Sequence, residues 1–176
     1  MKRWGVPAGV WACGLAFLVL ILGVFPAVQR QLALASGGGR MLDLRLGYSA
    51  AQANAAVAGY GPAGRKIYAT SALTADLLFP LSNAVLLGFF AGRAVPRSRW
   101  PGHLAGGLRR LPYAVAAADL LENALIVTLL LRFPQPVPLA ASAAGVVTSL
   151  KWVLLGACLV TLAAGWLLQR IQQTPA

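Results

Sequence analysis

Four long runs of apolar residues alternate with shorter polar or proline-rich connections. They predict helical membrane spans at about 7–28, 67–92, 112–131 and 147–168. An α-helix rises about 1.5 Å per residue, so roughly 20 apolar residues cross the ~30 Å hydrocarbon layer. Pro7 and Pro62 each stand where a helix would begin, a position at which the missing amide proton costs nothing. Pro80 lies inside the second run. It cannot donate to the carbonyl of residue 76, which predicts a kink at Asp76.

The connections have their own signals. Residues 29–66 form an extramembrane segment with a flexible break at Gly37-Gly38-Gly39. Ser49 precedes an alanine-rich stretch, Ala50 to Ala58, and reads as the N-cap of a short surface helix that Gly59 and Gly61 would end. Arg93 to Leu111 reads as a compact basic loop, Phe133 to Pro138 as a stiff turn, and Gln169 onward as a polar tail. The expectation is a single integral membrane domain over 1–176. Its class is all-α: a transmembrane four-helix bundle with a short extra helix in the first extramembrane loop.

Composition agrees. Hydrophobic residues make up 59% of the chain and charged residues 11%, against about 45–50% and about 25% in a soluble domain. The net charge of +11 would suggest nucleic acid in a soluble protein. Here the basic residues cluster between the apolar runs, and no basic stripe with interleaved aromatics occurs, so no nucleic-acid partner is expected. The cations instead predict anchoring at anionic headgroups. Arg93, Arg97, Arg99, Arg109 and Arg110 crowd the middle loop, and Lys2 and Arg3 precede the first span. That density predicts a multi-pass protein of the cell membrane with both termini cytoplasmic. Several of the tryptophans, Trp4, Trp11, Trp100, Trp152 and Trp166, fall near span ends, as interfacial belts require.

The acids change the picture most. The chain has only four, and Asp76, Asp119 and Glu122 lie within the apolar runs. A charge at the centre of a membrane helix costs about 3 kcal/mol even on insertion scales, so such a group is paired, protonated or wet. Arg65, Tyr68, Ala72, Asp76, Phe79 and Asn83 step by three or four and share one helical face. Asp119, Glu122 and Asn123 are neighbours on the third span, and Lys151 follows Thr148 and Ser149 on the fourth. Counting depth along the spans puts Glu122 near the midplane, Asp76 and Lys151 on the outer side, and Asn83 and Asp119 on the inner side. The expected pairs are Lys151 or Arg65 with Asp76, and Asn83 with Asp119. Glu122 is then left without a cation, either protonated or reached by water. Ala84, Gly88 and Gly92 form a small-xxx-small series that admits another backbone.

Plainer readings compete with these. Buried polar side chains can simply join helices, at about 0.6 kcal/mol per hydrogen bond. Serine or asparagine would do that at less cost than three carboxylates, which leaves function as the default for the acids. Gly59-Tyr60-Gly61-Pro62-Ala63-Gly64 matches a dinucleotide fingerprint but follows no strand, and reads as a helix end and turn. His103 reads as a solvated loop residue, and Cys13 and Cys158 as small hydrophobes within the spans. No metal site or cofactor is expected. Ala33-Leu34-Ala35 resembles a signal-peptidase site, but the preceding apolar core is too long for a signal peptide, and Arg30 intrudes.

Several stretches occur together: Met41-Leu42-Asp43-Leu44-Arg45, Gly47-Tyr48-Ser49, Gly64-Arg65-Lys66-Ile67-Tyr68, Asp76-Leu77-Leu78-Phe79-Pro80 and Asp119-Leu120-Leu121-Glu122-Asn123. In this combination the chain resembles a group of small, uncharacterised bacterial four-span integral membrane proteins, over about residues 7 to 168. The resemblance implies the four-span architecture and a shared polar centre. It implies no activity.

Three readings of function remain open. The first is an accessory, structural or partner-binding bundle whose 29–66 segment contacts another protein. The second is binding or transport of a proton, cation or small polar ligand by Asp76, Asp119, Glu122, Asn83 and Asn123, in a homodimer because four spans are few. The third is a membrane enzyme acting on a lipid or isoprenoid substrate, with Glu122 or Asp119 as acid or base and Arg65 and Tyr68 holding a headgroup. The lipid bilayer is a partner in all three.

Overall fold

A computed structural model describes residues 5–96 and 101–171. The basic cap at Lys2 and Arg3, Trp4, the loop residues Arg97, Arg99 and Trp100, and the tail from 172 lie outside the described residues. Among the described residues there is no strand, and the helices are α1 (Ala8–Ser36), α2 (Ala50–Gly59), α3 (Gly61–Ala94), α4 (Gly102–Arg132) and α5 (Pro138–Ile171). All but α2 are long and apolar enough to cross a membrane, as a multi-pass membrane protein requires. The expected all-α bundle with one short extra helix is the observed fold.

The long helices run to 29–34 residues, about ten more than a ~30 Å layer needs. α1 continues past the expected end near Val28 to Ser36. Its stop is Gly37, in the left-handed conformation at φ 66°, with the Gly38 amide donating to the Ala33 carbonyl at 2.8 Å. Only glycine takes that backbone freely. Within α1 a π-helical turn spans Leu20–Val24. It lies immediately ahead of Pro26, whose ring cannot donate to the carbonyl four residues back, and the wider turn absorbs the misfit. α4 begins at Gly102, so part of the expected basic loop is helical.

α2 starts as its sequence requires. The Ser49 hydroxyl accepts from the Gln52 amide at 3.2 Å, and the Gln52 side chain accepts from the Ser49 amide at 2.8 Å. This reciprocal capping box closes two orphan donors. α3 is interrupted at Leu73 and Thr74, where Thr74 has φ −127° and ψ −83°. The break thus lies just before Asp76. Pro80 stays within the helix, and the carbonyl it orphans, that of Asp76, accepts instead from Asn123 Nδ2 at 2.7 Å.

Exposure divides the bundle along its length. On α3, large apolar side chains are exposed at Leu73, Leu77, Leu78, Leu81, Val85 and Phe90, whereas Gly61–Ala72 exposes none. That band covers about 25 Å, close to a hydrocarbon layer. The main core sits beyond it, in a cap built from Leu32, Met41, Leu42, Ala53, Val57, Tyr60 and Tyr68 against Ile126, Leu129, Ala141 and Ala144. In the band itself packing is thin. The Ala8–Val19 stretch of α1 has no buried residue, and α1 meets α3 through Phe17 in that stretch and Phe25 beyond it, whose rings lie 5.5 and 5.2 Å from that of Phe79.

Two glycines on α5 set where it seats. A Cβ at Gly145 would run into the Tyr48 carbonyl, and one at Gly165 into the Ala94 carbonyl. The Ala84, Gly88 and Gly92 series works differently from the expected backbone approach. Gly88 makes room for the Tyr113 hydroxyl and Gly92 for the Arg109 guanidinium, both from α4. Gly145→Ala and Gly165→Ala are each expected to destabilise by about 1–3 kcal/mol through overpacking. Gly156→Ala, with open space at its Cβ, should hold or raise stability; thermal melting in detergent separates the three.

Candidate functional site

Lys151 is the only cation buried among the described residues, and it sits where α4, α5 and the 37–49 loop meet. Its ammonium group lies 2.5 Å from Glu122 Oε2 and 3.3 Å from Asp119 Oδ1, both on α4. It also donates to the Asp43 carbonyl in the loop, at 3.4 Å. An ammonium has three N–H bonds, and three acceptors surround this one. Glu122 is fully buried, and its other carboxylate oxygen accepts from the Thr148 hydroxyl, one turn before Lys151 on α5.

The hairpin explains why these groups meet. Asp119 lies thirteen residues before Arg132, the end of α4, and Lys151 thirteen after Pro138, the start of α5. Antiparallel helices joined by a short turn bring equal distances to one level. The expected depths, with Lys151 outer and Asp119 inner, are therefore corrected: the two residues share a level. The expected pairing of Lys151 with Asp76 is not made, and Glu122 is not left without a cation.

Asp76 is buried nearby but has different partners. Its Oδ2 accepts from Ser71 at 3.3 Å, across the break in α3, and its carbonyl is held by Asn123. Asn83 is half-buried and makes no hydrogen bond to Asp119. Arg65 donates to the Val57 carbonyl at 3.3 Å and stacks on Phe133 at 4.0 Å, so the expected pairing of Arg65 with Asp76 is not made. Tyr68 is buried in the cap. Its hydroxyl donates to Asp43 Oδ1 at 2.5 Å and accepts from the Leu42 and Asp43 amides at 3.0 and 3.3 Å.

The fourth acid, Asp43, was not among the expected site residues, nor were Tyr48, Ser71 or Trp152. The signal available was Met41-Leu42 beside Asp43: two large apolar residues in a loop must be buried somewhere, and they take the acid with them. The loop is tied to α5 at three more points. Trp152 Nε1 donates to the Arg45 carbonyl at 2.7 Å, Ser149 to the Leu46 carbonyl at 3.1 Å, and the Tyr48 backbone rests on Gly145. From the other side, Gln29 donates to the Gly39 carbonyl and accepts from the Met41 amide, each at 3.0 Å, and Tyr60 donates to the Arg40 carbonyl at 2.6 Å.

The Tyr48 hydroxyl points beside Thr148 and completes no hydrogen bond among the described residues. Burial raises its pKa from 10.0 to about 12, and burial raises that of Tyr60 as well. His103 is exposed near the start of α4, and no group of three or more metal-ligating side chains occurs among the described residues. No family model, curated protein or solved structure matches the chain.

Two outcomes follow. Lys151→Met leaves two buried carboxylates without their cation and should cost about 3–5 kcal/mol in detergent melting. Tyr48→Phe removes a hydroxyl without a partner and should melt at or above the wild-type temperature at pH 7. Above pH 10 the unfolded phenol ionises while the folded one does not, so Tyr48 draws stability down as the pH rises from 10 towards 12. Tyr48→Phe should lose less than the wild type over that window.

Proposed function

We propose that the protein is an accessory or partner-binding membrane bundle, in which the buried polar centre fixes an extramembrane cap onto the membrane helices. The observation that carries this reading is the threefold engagement of Lys151 by Asp119, Glu122 and the Asp43 carbonyl. One ammonium joins α4, α5 and the loop. Two further buried side chains brace the backbone around it: Tyr68 holds Asp43, and Asn123 closes the gap that Pro80 opens. The cap thereby becomes a rigid surface standing outside the bilayer, suited to another membrane protein or a second copy. The far end carries Arg93, Arg109 and Arg110 among the described residues, and that density favours both termini cytoplasmic.

A second reading draws on the charge count. Two carboxylates face one ammonium, a formal surplus of one negative charge that a proton would cancel. Under that reading the centre exchanges protons, and Glu122→Gln would abolish a pH-driven proton flux in liposomes.

One variant set separates the two. Lys151→Met, Asp119→Asn and Glu122→Gln combined remove every charge of the triad while keeping its volume. Replacing a whole buried ion cluster by neutral groups is commonly neutral or stabilising, whereas breaking it singly is not. The triple variant is therefore expected to melt near the wild type and to restore whatever growth or membrane phenotype a gene deletion causes. A triple variant that folds and inserts but does not restore the phenotype would overturn the structural reading.

A further inference from the structure

α1 and α3 part to leave a groove of about 310 Å³. Its walls are Val24, Val28 and Gln31 from α1, facing Lys66, Ile67, Thr70, Ser71, Thr74 and Ala75 of the α3 segment. The helices are antiparallel here, so Gln31 and Lys66 stand together at the cap end and Val24 and Ala75 at the other. Polarity is therefore graded along the groove, from a cation and an amide to aliphatic side chains. The gradient coincides with the edge of the exposed apolar band, which begins at Leu73. Ala75 lies at hydrocarbon level, and Lys66 lies about 13 Å nearer the cap, where its flexible four-carbon stem can reach a headgroup.

We propose that this groove seats an anionic phospholipid, with its phosphate on Lys66 and Gln31 and one acyl chain along Val24, Val28 and Ala75. The charge of Lys66 is open to an anion from outside the chain. All four acidic side chains are engaged elsewhere: Asp43 by Tyr68, Asp76 by Ser71, and Asp119 and Glu122 by Lys151. Among the described residues Lys66 forms no ion pair and is exposed. Two of the three hydroxyls on the wall are engaged, Ser71 donating to Asp76 and Thr74 to the Thr70 carbonyl at 2.7 Å, which leaves Lys66 and Gln31, with the Thr70 hydroxyl below them, to choose the headgroup. This site does not depend on the role assigned to the Lys151 centre.

The test uses the full-length protein in detergent, with short-chain phosphatidylglycerol or phosphatidylcholine of identical acyl chains as the probe. Phosphatidylglycerol should raise the wild-type melting temperature about 3 °C further than phosphatidylcholine does. Lys66→Gln should remove that difference. Arg132→Gln, which deletes an exposed cation at the end of α4, should retain it. Thr70→Trp, which fills the groove from an exposed wall position, should lose the stabilisation by both lipids. Equal effects of the two lipids on the wild type, an undiminished preference in Lys66→Gln or Thr70→Trp, or loss of the preference in Arg132→Gln would each overturn the proposal.

Discussion

A buried ammonium group must find three acceptors or forfeit the cost of leaving water, and in this bundle that requirement falls on Lys151. Its acceptors come from two side chains of α4 and one carbonyl of the loop. None of the three elements can satisfy it alone. The hairpin of α4 and α5 brings the carboxylates, and the loop supplies the last acceptor only when it lies folded against Trp152 and Gly145. Helix pairing and cap closure are thus one event in energetic terms. Breaking one contact leaves a charge in an apolar site, and that penalty exceeds the modest worth of the bond itself.

The same logic recurs at each irregularity of the backbone. Pro80 withholds a donor, and Asn123 from the neighbouring helix replaces it. The break at Thr74 is spanned by Ser71 reaching Asp76 and by Thr74 reaching back to the Thr70 carbonyl. The loop has little regular structure beyond the single turn at Leu42–Leu44, so Gln29, Tyr60 and Tyr68 supply its hydrogen bonds from outside. A buried segment with free peptide groups would be untenable. Tyrosine and glutamine serve here because they carry a polar tip on a body that packs.

The four spans and the capped surface helix were legible in the sequence, because hydropathy and capping act over a few consecutive residues. The composition of the polar centre was legible too: Asp119, Glu122, Asn123 and Lys151 stand out as polar residues in apolar runs. Their pairing was not. Hydropathy gives each residue only an approximate depth, whereas register is set by the turn between Arg132 and Pro138, from which Asp119 and Lys151 are equidistant. The role of Asp43 is hidden for a related reason. An acid in a loop ordinarily meets water, and only the loop's long-range packing places it against Tyr68. Arg65 shares a helical face with Asp76, as the spacing requires, yet lies about three turns away along α3 and finds Val57 and Phe133 first.

Apart from the buried Met41 and Leu42 side chains and the Asp43 carboxylate, the loop is held by hydrogen bonds to its main chain. The carbonyls of Gly39, Arg40, Asp43, Arg45 and Leu46 accept from Gln29, Tyr60, Lys151, Trp152 and Ser149 in turn. Carbonyl oxygens are the same whatever residue carries them. Leu44 and Leu46 consequently display their side chains outward with no part in holding the segment down. Substitution at those two points can alter what the cap presents to its surroundings without loosening the cap, so recognition and anchorage are inherited separately within one short stretch of chain.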